Sequence, residues 1–167
     1  MALQLQYVAL IGFASLMVAA AFEDLRRLVI PNLVPLGLCL LWPVYMLSTP
    51  NLLGALGAIG CALSIFIAGA FCFTRGFLGG GDVKLLTAAT LWAGPSQTPS
   101  LLVLTGVLGG ALALFLLVPP GAHLATLARA KLGPASDLPD QRLTTPVPYG
   151  IAIAAAALIV ICLPHFQ

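Results

Sequence analysis

The chain has 167 residues, of which 60% are hydrophobic and only 7% are charged, and its mean hydropathy is +1.09. Soluble domains contain about 25% charged residues, so this composition excludes a water-exposed globular fold and indicates a protein that lies in a lipid bilayer. The net charge of +2, without a basic stripe interleaved with aromatic residues, excludes nucleic-acid binding.

Six apolar segments predict an all-α polytopic membrane protein, a bundle of six transmembrane helices in a single domain that covers residues 1–167. The segments are residues 3–22, 33–47, 52–73, 83–93, 101–118 and 147–163. No Lys or Arg precedes the first segment, so we interpret it as a retained helix and not as a signal peptide. The fourth is short for a span of about 20 residues, and a re-entrant segment remains the alternative there.

The distribution of charge predicts the orientation of these helices. Six of the seven Lys and Arg residues lie in the links that follow the first, third and fifth segments, and the seventh, Lys84, is the second residue of the fourth segment. Because cytoplasmic loops carry the excess of basic residues, these links are expected in the cytoplasm and both termini outside. The last of them, residues 119–146, is the one substantial loop, and residues 122–132 within it are predicted to form a helix on the membrane surface.

The cysteines offer no sign of a metal site. Cys39, Cys61, Cys72 and Cys162 all lie in apolar segments, with no CxxC pair and no histidine at ligand spacing. We interpret them as small packing residues, and the sequence implies no disulfide, no metal and no cofactor.

Two aspartates stand at the ends of apolar segments on the same predicted face of the membrane. Asp24 follows the first segment, and Asp82 precedes the fourth. An ionisable residue at such a position is a functional candidate. The structural alternatives are that Asp24 pairs with Arg26 or Arg27 and that Asp82 caps a helix.

The glycines before Asp82 strengthen the functional interpretation. Gly79, Gly80 and Gly81 have no side chains, so an extended peptide can lie against their backbone; a flexible turn is the alternative. Aspartyl proteolysis needs two carboxyl groups that share one proton. The helix dipoles favour a charged Asp82 at the start of its helix and a protonated Asp24 at the end of its own. We therefore expect Asp82 to act as the base and Asp24 as the acid.

Three motifs carry a family resemblance. Asp24 is followed by Ile-Pro-Asn at residues 30–32, residues 79–85 read Gly-Gly-Gly-Asp-Val-Lys-Leu, and residues 147–150 read Val-Pro-Tyr-Gly. In this order the motifs resemble those of the bacterial prepilin peptidases, which are intramembrane aspartyl proteases of the GxGD kind. The link at residues 23–32 is short and has no CxxC, so the chain resembles the form that lacks the methyltransferase loop and is found with Flp-type, tight-adherence pili.

The resemblance implies an aspartic endopeptidase with Asp24 and Asp82 as its catalytic pair. Its expected substrates are type IV prepilins or pseudopilins, whose leader peptide is removed at the cytoplasmic face of the bacterial inner membrane. N-methyltransferase activity is expected to be absent. Membrane lipid is the other expected partner, and the sequence does not predict the oligomeric state.

Five further residues are expected to shape the site. Pro31 breaks the helix between the first two spans, and Asn32 is predicted to cap the second. Pro148, followed by Tyr149, stiffens the entry to the last helix. Lys84 is expected to extend to the lipid headgroups, with contact to an acidic pilin residue as the lesser alternative.

Two other functions fit part of this pattern. A proton-coupled transporter also uses paired carboxylates within the membrane, but the sequence shows no inverted repeat of broken helices, and both aspartates lie toward one face. A catalytically inactive relative that assists pilus assembly is the second alternative, and the retention of both aspartates does not exclude it.

Overall fold

The computed structural model describes residues 2–48, 51–118, 121, 123, 124, 127 and 147–163. These residues are almost entirely helical, and none of them lies in a strand. The predicted loop at residues 119–146, with its predicted surface helix at 122–132, falls almost wholly outside the described residues.

Five helical elements follow one another along the chain: α1 (Ala2–Arg27), α2 (Leu33–Ser48), α3 (Leu52–Thr74), α4 (Gly80–Leu117) and α5 (Tyr149–Ala157), which continues as a π-helix at Leu158–Cys162. Helices α1, α3 and α4 are long and apolar enough to cross a membrane, and α2 and α5 are shorter apolar helices. The prediction of an all-α membrane protein is therefore confirmed. The fourth and fifth predicted segments are joined in α4, so the described residues contain five apolar helical elements where six segments were predicted.

Helix α4 bends at a single residue. Gly94 has φ 63° and ψ −177°, and it is the one residue of α4 with a non-helical backbone. The sequence predicts a loop at residues 94–100, and this prediction is wrong for residues 95–100, which are helical. Pro95 follows the bend as the first residue of the second half, where a proline costs no hydrogen bond and its fixed φ suits a helix.

The first half of α4, residues 80–93, runs antiparallel to α3. Gly69, late in α3, packs against the side chain of Val83, and Gly57, early in α3, packs against Pro95. A Cβ atom at either glycine would lie less than 3 Å from its neighbour. The two glycines therefore allow the helices to approach closely, as small residues do between helices in lipid.

The second half of α4, residues 95–117, runs antiparallel to α5. Gly109 packs against the ring of Tyr149, the first residue of α5. At the far end of α5, Val160 lines the same groove as Pro99. Helix α1 also runs antiparallel to α5, with Asp24 beside Gly150, and Asp24 near its end lines the same cavity as Asp82 at the start of α4. The two halves of α4 therefore run in opposite directions, and the chain reverses its direction at Gly94.

The core lies where α1, α2, α4 and α5 meet. Trp92, at the end of the first half of α4, is 5% exposed, and its ring centroid lies 4.6 Å from that of Phe13. Its indole Nε1–H donates a hydrogen bond of 2.9 Å to the backbone oxygen of Leu38. Through these two contacts Trp92 joins α4 to α1 and α2, in the core below the end of the bundle at which both aspartates lie.

Candidate active site

Asp24 lies inside a helix and not after one. Helix α1 continues to Arg27, beyond the predicted end of the first segment at residue 22. Glu23 binds Arg26 at 4.0 Å and Arg27 at 3.6 Å, at the helical spacings that stabilise a last turn. The Asp24 residue, on a neighbouring face of the same turn, is only 5% exposed. The last turn of α1 thus carries a partly exposed ion-pair network on one face and a buried carboxyl group on another.

The α1–α2 connection, residues 28–32, turns back over Asp24. The N–H of Leu28 donates a hydrogen bond of 3.0 Å to the backbone oxygen of Asp24, which closes the helix. Ile30 is buried, with 6% of its surface exposed. The predicted break of the helix at Pro31 agrees with this connection, since helical structure resumes only at Leu33.

Asp82 is the third residue of α4 and not its cap. Gly79, with φ −71° and ψ 144°, occupies the N-cap position, and the helix begins at Gly80. The backbone N–H of Gly79 donates a hydrogen bond to the Asp82 carboxylate. An acidic residue three positions into a helix often reaches back in this way. The contact directs the carboxylate toward the glycines that precede it.

The two aspartates line one cavity of about 240 Å³. They are close enough to interact electrostatically. The lining consists of the two acids, three apolar residues of the α1–α2 connection and the three consecutive glycines, namely Asp24, Leu28, Val29, Ile30, Gly79, Gly80, Gly81 and Asp82. The α1–α2 connection therefore forms one wall of the cavity with apolar side chains, and the three glycines form the opposite wall largely with backbone atoms.

Close packing explains two of the glycines in this wall. A Cβ atom at Gly81 would lie 3.1 Å from the Cβ of Ile30, and one at Gly79 would lie 2.9 Å from Oδ2 of Asp82. Side chains at these positions would push the start of α4 away from the α1–α2 connection or displace the Asp82 carboxylate. The glycines therefore keep the cavity narrow and leave its backbone accessible.

The third motif packs against Asp24 through Gly150, which the sequence does not mark as a site residue. A Cβ atom at Gly150 would lie 2.8 Å from Oδ2 of Asp24 and 2.9 Å from Cδ1 of Ile30. Pro148 precedes α5 as its N-cap residue, and Tyr149 begins the helix. The signal in the sequence was the position of Gly150 at the end of the Val-Pro-Tyr-Gly motif.

Lys84 connects the second motif to the first. Its Nζ donates a hydrogen bond of 2.9 Å to Oδ1 of Asn32, and both side chains are exposed. The expectation that Lys84 extends to the headgroups overlooked this partner. Asn32 does precede α2, and its backbone oxygen accepts from the N–H of Leu36 at 3.2 Å. Its side-chain oxygen, which was expected to cap the helix, binds Lys84.

Among the comparisons with known proteins, a protein-family model matches this chain. The model of the type IV leader peptidase family matches residues 11–114, more than half of the chain, and this range includes Asp24 and Asp82. The third motif at residues 147–150 lies outside the matched range. No curated protein and no solved structure matches. The family match confirms the resemblance that the motifs indicated, and the chain therefore belongs to the type IV leader peptidase family.

Proposed function

We propose that this protein is an intramembrane aspartyl endopeptidase that removes the leader peptide of type IV prepilins or pseudopilins, with Asp24 and Asp82 as its catalytic pair. One observation carries the proposal: both carboxyl groups line the same cavity of about 240 Å³. They come from opposite ends of two different helices, so their meeting depends on the tertiary fold and not on local sequence.

The proposed reaction assigns a different role to each carboxyl group. Asp82 lies in the first turn of α4, where the helix dipole stabilises a negative charge. In its ionised form it takes a proton from a water molecule, whose oxygen attacks the scissile carbonyl carbon. Asp24 lies in the last turns of α1 and is 5% exposed, an environment that favours the neutral form. It donates its proton to the carbonyl oxygen.

The second half of the reaction restores the pair. The tetrahedral intermediate carries two hydroxyl groups on the former carbonyl carbon. Asp82, now protonated, gives its proton to the leaving nitrogen as the C–N bond breaks, and one hydroxyl proton returns to Asp24 as the new carbonyl forms. Both carboxyl groups thus end as they began, and no metal or cofactor takes part.

The wall formed by Gly79, Gly80 and Gly81 supplies the place for the substrate backbone. A peptide bond in a helix must be unwound before it is cut, and an extended strand then needs backbone partners. The cavity exposes this glycine backbone beside both aspartates. We assign the substrate residues next to the scissile bond to this wall, in an extended conformation.

The location and specificity follow from charge and from the length of one connection. The basic residues Arg26, Arg27, Arg75 and Lys84 all lie at the end of the bundle that holds the cavity, which supports cleavage at the cytoplasmic face of the inner membrane. The α1–α2 connection comprises only residues 28–32 and has no cysteine. This supports the Flp-type short form, without N-methyltransferase activity.

Co-expression with a candidate prepilin tests the proposal. Asp24→Asn and Asp82→Asn are each expected to abolish leader removal while the protein remains in the membrane. Glu23→Gln is the matched control, because Glu23 is the neighbouring carboxylate on α1 and binds two arginines outside the cavity. Unimpaired cleavage by either asparagine variant would reject the catalytic pair. Absence of cleavage by the wild-type protein would favour the transporter or the non-catalytic assembly factor.

A further inference from the structure

Leu28 occupies a backbone conformation that leucine seldom adopts. Its φ is +55°, and among the described residues it is the one residue other than glycine with a positive φ. L-amino acids are strained in this left-handed region, and glycine or asparagine normally fills such a position at the end of a helix. Elsewhere the same chain places glycine at positive φ, at Gly76 and Gly94. The backbone conformation at residue 28 therefore favours glycine, and the presence of a leucine there must be explained by its side chain.

The side chain of Leu28 has a distinct place in the cavity. It lines the cavity with both aspartates and is half-buried. Of its two apolar neighbours, Ile30 is 6% exposed and packs against glycines, and Val29 is 62% exposed. Of the three apolar residues in this wall, Leu28 is thus the one with intermediate exposure: its side chain lies within the cavity and part of its surface is free to contact a ligand.

The size of the cavity limits what can touch Leu28. Pockets for drug-sized ligands have volumes of about 300–1,000 Å³, and this one has about 240 Å³. This volume suits the substrate residues next to the bond that the carboxyl groups attack. The N–H of Leu28 also binds the backbone oxygen of Asp24, which fixes the leucine relative to that carboxyl group.

We propose that Leu28 determines specificity, because its side chain contacts an apolar substrate side chain that adjoins the scissile bond. This inference rests on the proposed peptidase function. The strained backbone is kept in the folded protein because it directs the side chain into the cavity. Glycine at the same position would relieve the strain and lose the contact.

The test uses the purified full-length protein in detergent, with prepilins whose residues on either side of the scissile bond are changed one at a time to Ala or Leu. The ratio of kcat/KM for the Leu substrate to that for the Ala substrate measures the contact. Leu28→Ala and Leu28→Gly are each expected to lower this ratio about tenfold at one of the two positions, the scale of a lost apolar contact. Leu28→Met, which conserves volume, is expected to retain it.

Thermal unfolding distinguishes the effect of losing the Leu28 side chain from the effect of relieving the backbone strain. Leu28→Gly is expected to unfold at a temperature no lower than the wild type, whereas Leu28→Ala, which keeps the strain and loses the packing, unfolds at a lower one. Leu33→Ala is the control, since Leu33 belongs to the next helix, is 77% exposed and does not line the cavity. It is expected to leave both the ratio and the unfolding temperature unchanged.

Three results decide the outcome. An unchanged ratio in both Leu28→Ala and Leu28→Gly, with an active wild type, overturns the role of Leu28 alone. A loss in Leu28→Gly without a loss in Leu28→Ala assigns the effect to backbone flexibility and also overturns it. A wild type that does not cleave, or cleavage that survives Asp24→Asn, rejects the proposed function and this role with it.

Discussion

Gly150, in the first turn of α5, packs directly against the carboxyl group of Asp24. A Cβ atom there would lie 2.8 Å from Oδ2 and 2.9 Å from Cγ of the aspartate, and real side chains almost never come so close. The position of Asp24 therefore depends on the lack of a side chain in the last helix. This contact gives the third motif a physical role in the site, although it lies outside the range that the family model matches.

Gly150→Ala is expected to lower kcat/KM for leader removal by about 100-fold, the loss typical of a displacement of about 1 Å at a reacting group. The added methyl group must move either α5 or the Asp24 carboxyl group. Purified enzyme and a purified prepilin provide the measurement. Gly110→Ala is the matched control, because a Cβ atom at Gly110 would meet none of the described residues within 4 Å. Equal activities of the two variants would contradict the positioning role.

The hydrogen bond between Lys84 and Asn32 predicts a loss of activity with little loss of stability. Because the pair is exposed, Asn32→Ala is expected to lower the free energy of unfolding by only about 1 kcal/mol, the net contribution of a single hydrogen bond. Cleavage is expected to fall several-fold, since the α1–α2 connection forms one wall of the cavity and loses its tie to α4. Asn32→Asp, whose carboxylate also accepts from Lys84, is expected to retain activity.

A double-mutant cycle checks that the two residues act together. Lys84→Met is expected to reduce cleavage as much as Asn32→Ala does, and the double variant is expected to lose little more than either single one. Additive losses would show that the two side chains act independently.

The sequence predicted the membrane-embedded helical fold because that depends on features that are local in the chain. Apolar length and the clustering of charge marked the helices and placed Asp24 and Asp82 at their ends. The predicted end of α1 was wrong by five residues, because the run of apolar residues stops before Glu23. In the structure the helix continues, since Glu23 is satisfied by Arg26 and Arg27 within the same turn.

Other features of the site depend on neighbours that are distant in sequence and so escaped prediction. Gly150 and Leu28 have no ionisable or nucleophilic group that would mark them as site residues. Their roles become visible only because Gly150 packs against the Asp24 carboxyl group and Leu28 lines the cavity. The hydrogen bond from Lys84 to Asn32 likewise needs the first and second motifs to meet in space. The sequence predicts a loop at residues 94–100 because this stretch separates two apolar segments, yet a proline such as Pro95 also suits the start of a helix.

The bend in α4 predicts a specific requirement for glycine. Gly94 has φ +63° and ψ −177°, a region that is essentially confined to glycine and costs other residues about 1–3 kcal/mol. Gly94→Ala is therefore expected to lower the free energy of unfolding by that amount, measured by denaturation in one detergent. Gly106 lies in the second half of the same helix, and a Cβ atom there would meet nothing within 4 Å in the part of the chain that the structure describes. Gly106→Ala is therefore expected to be neutral or slightly stabilising. Equal losses in the two variants would contradict the role of the bend.

The two tryptophans of the chain provide a matched pair for testing the core beneath the site. The indole of Trp92 donates a buried hydrogen bond of 2.9 Å to Leu38, whereas the indole nitrogen of Trp42 is buried without a hydrogen-bond partner in the part of the chain that the structure describes. Trp92→Phe is expected to lower the free energy of unfolding by about 1–2 kcal/mol, since it removes a satisfied donor.

Trp42→Phe is expected to cost less, because phenylalanine removes a polar group that had no bond to lose. Each variant keeps a single tryptophan, so intrinsic fluorescence follows unfolding in both and reports a different position in the bundle. A larger loss of stability in Trp42→Phe than in Trp92→Phe would contradict the assignment of the hydrogen bond. Because Trp92 ends the half-helix that begins beside Asp82, Trp92→Phe is also expected to reduce cleavage more than Trp42→Phe does.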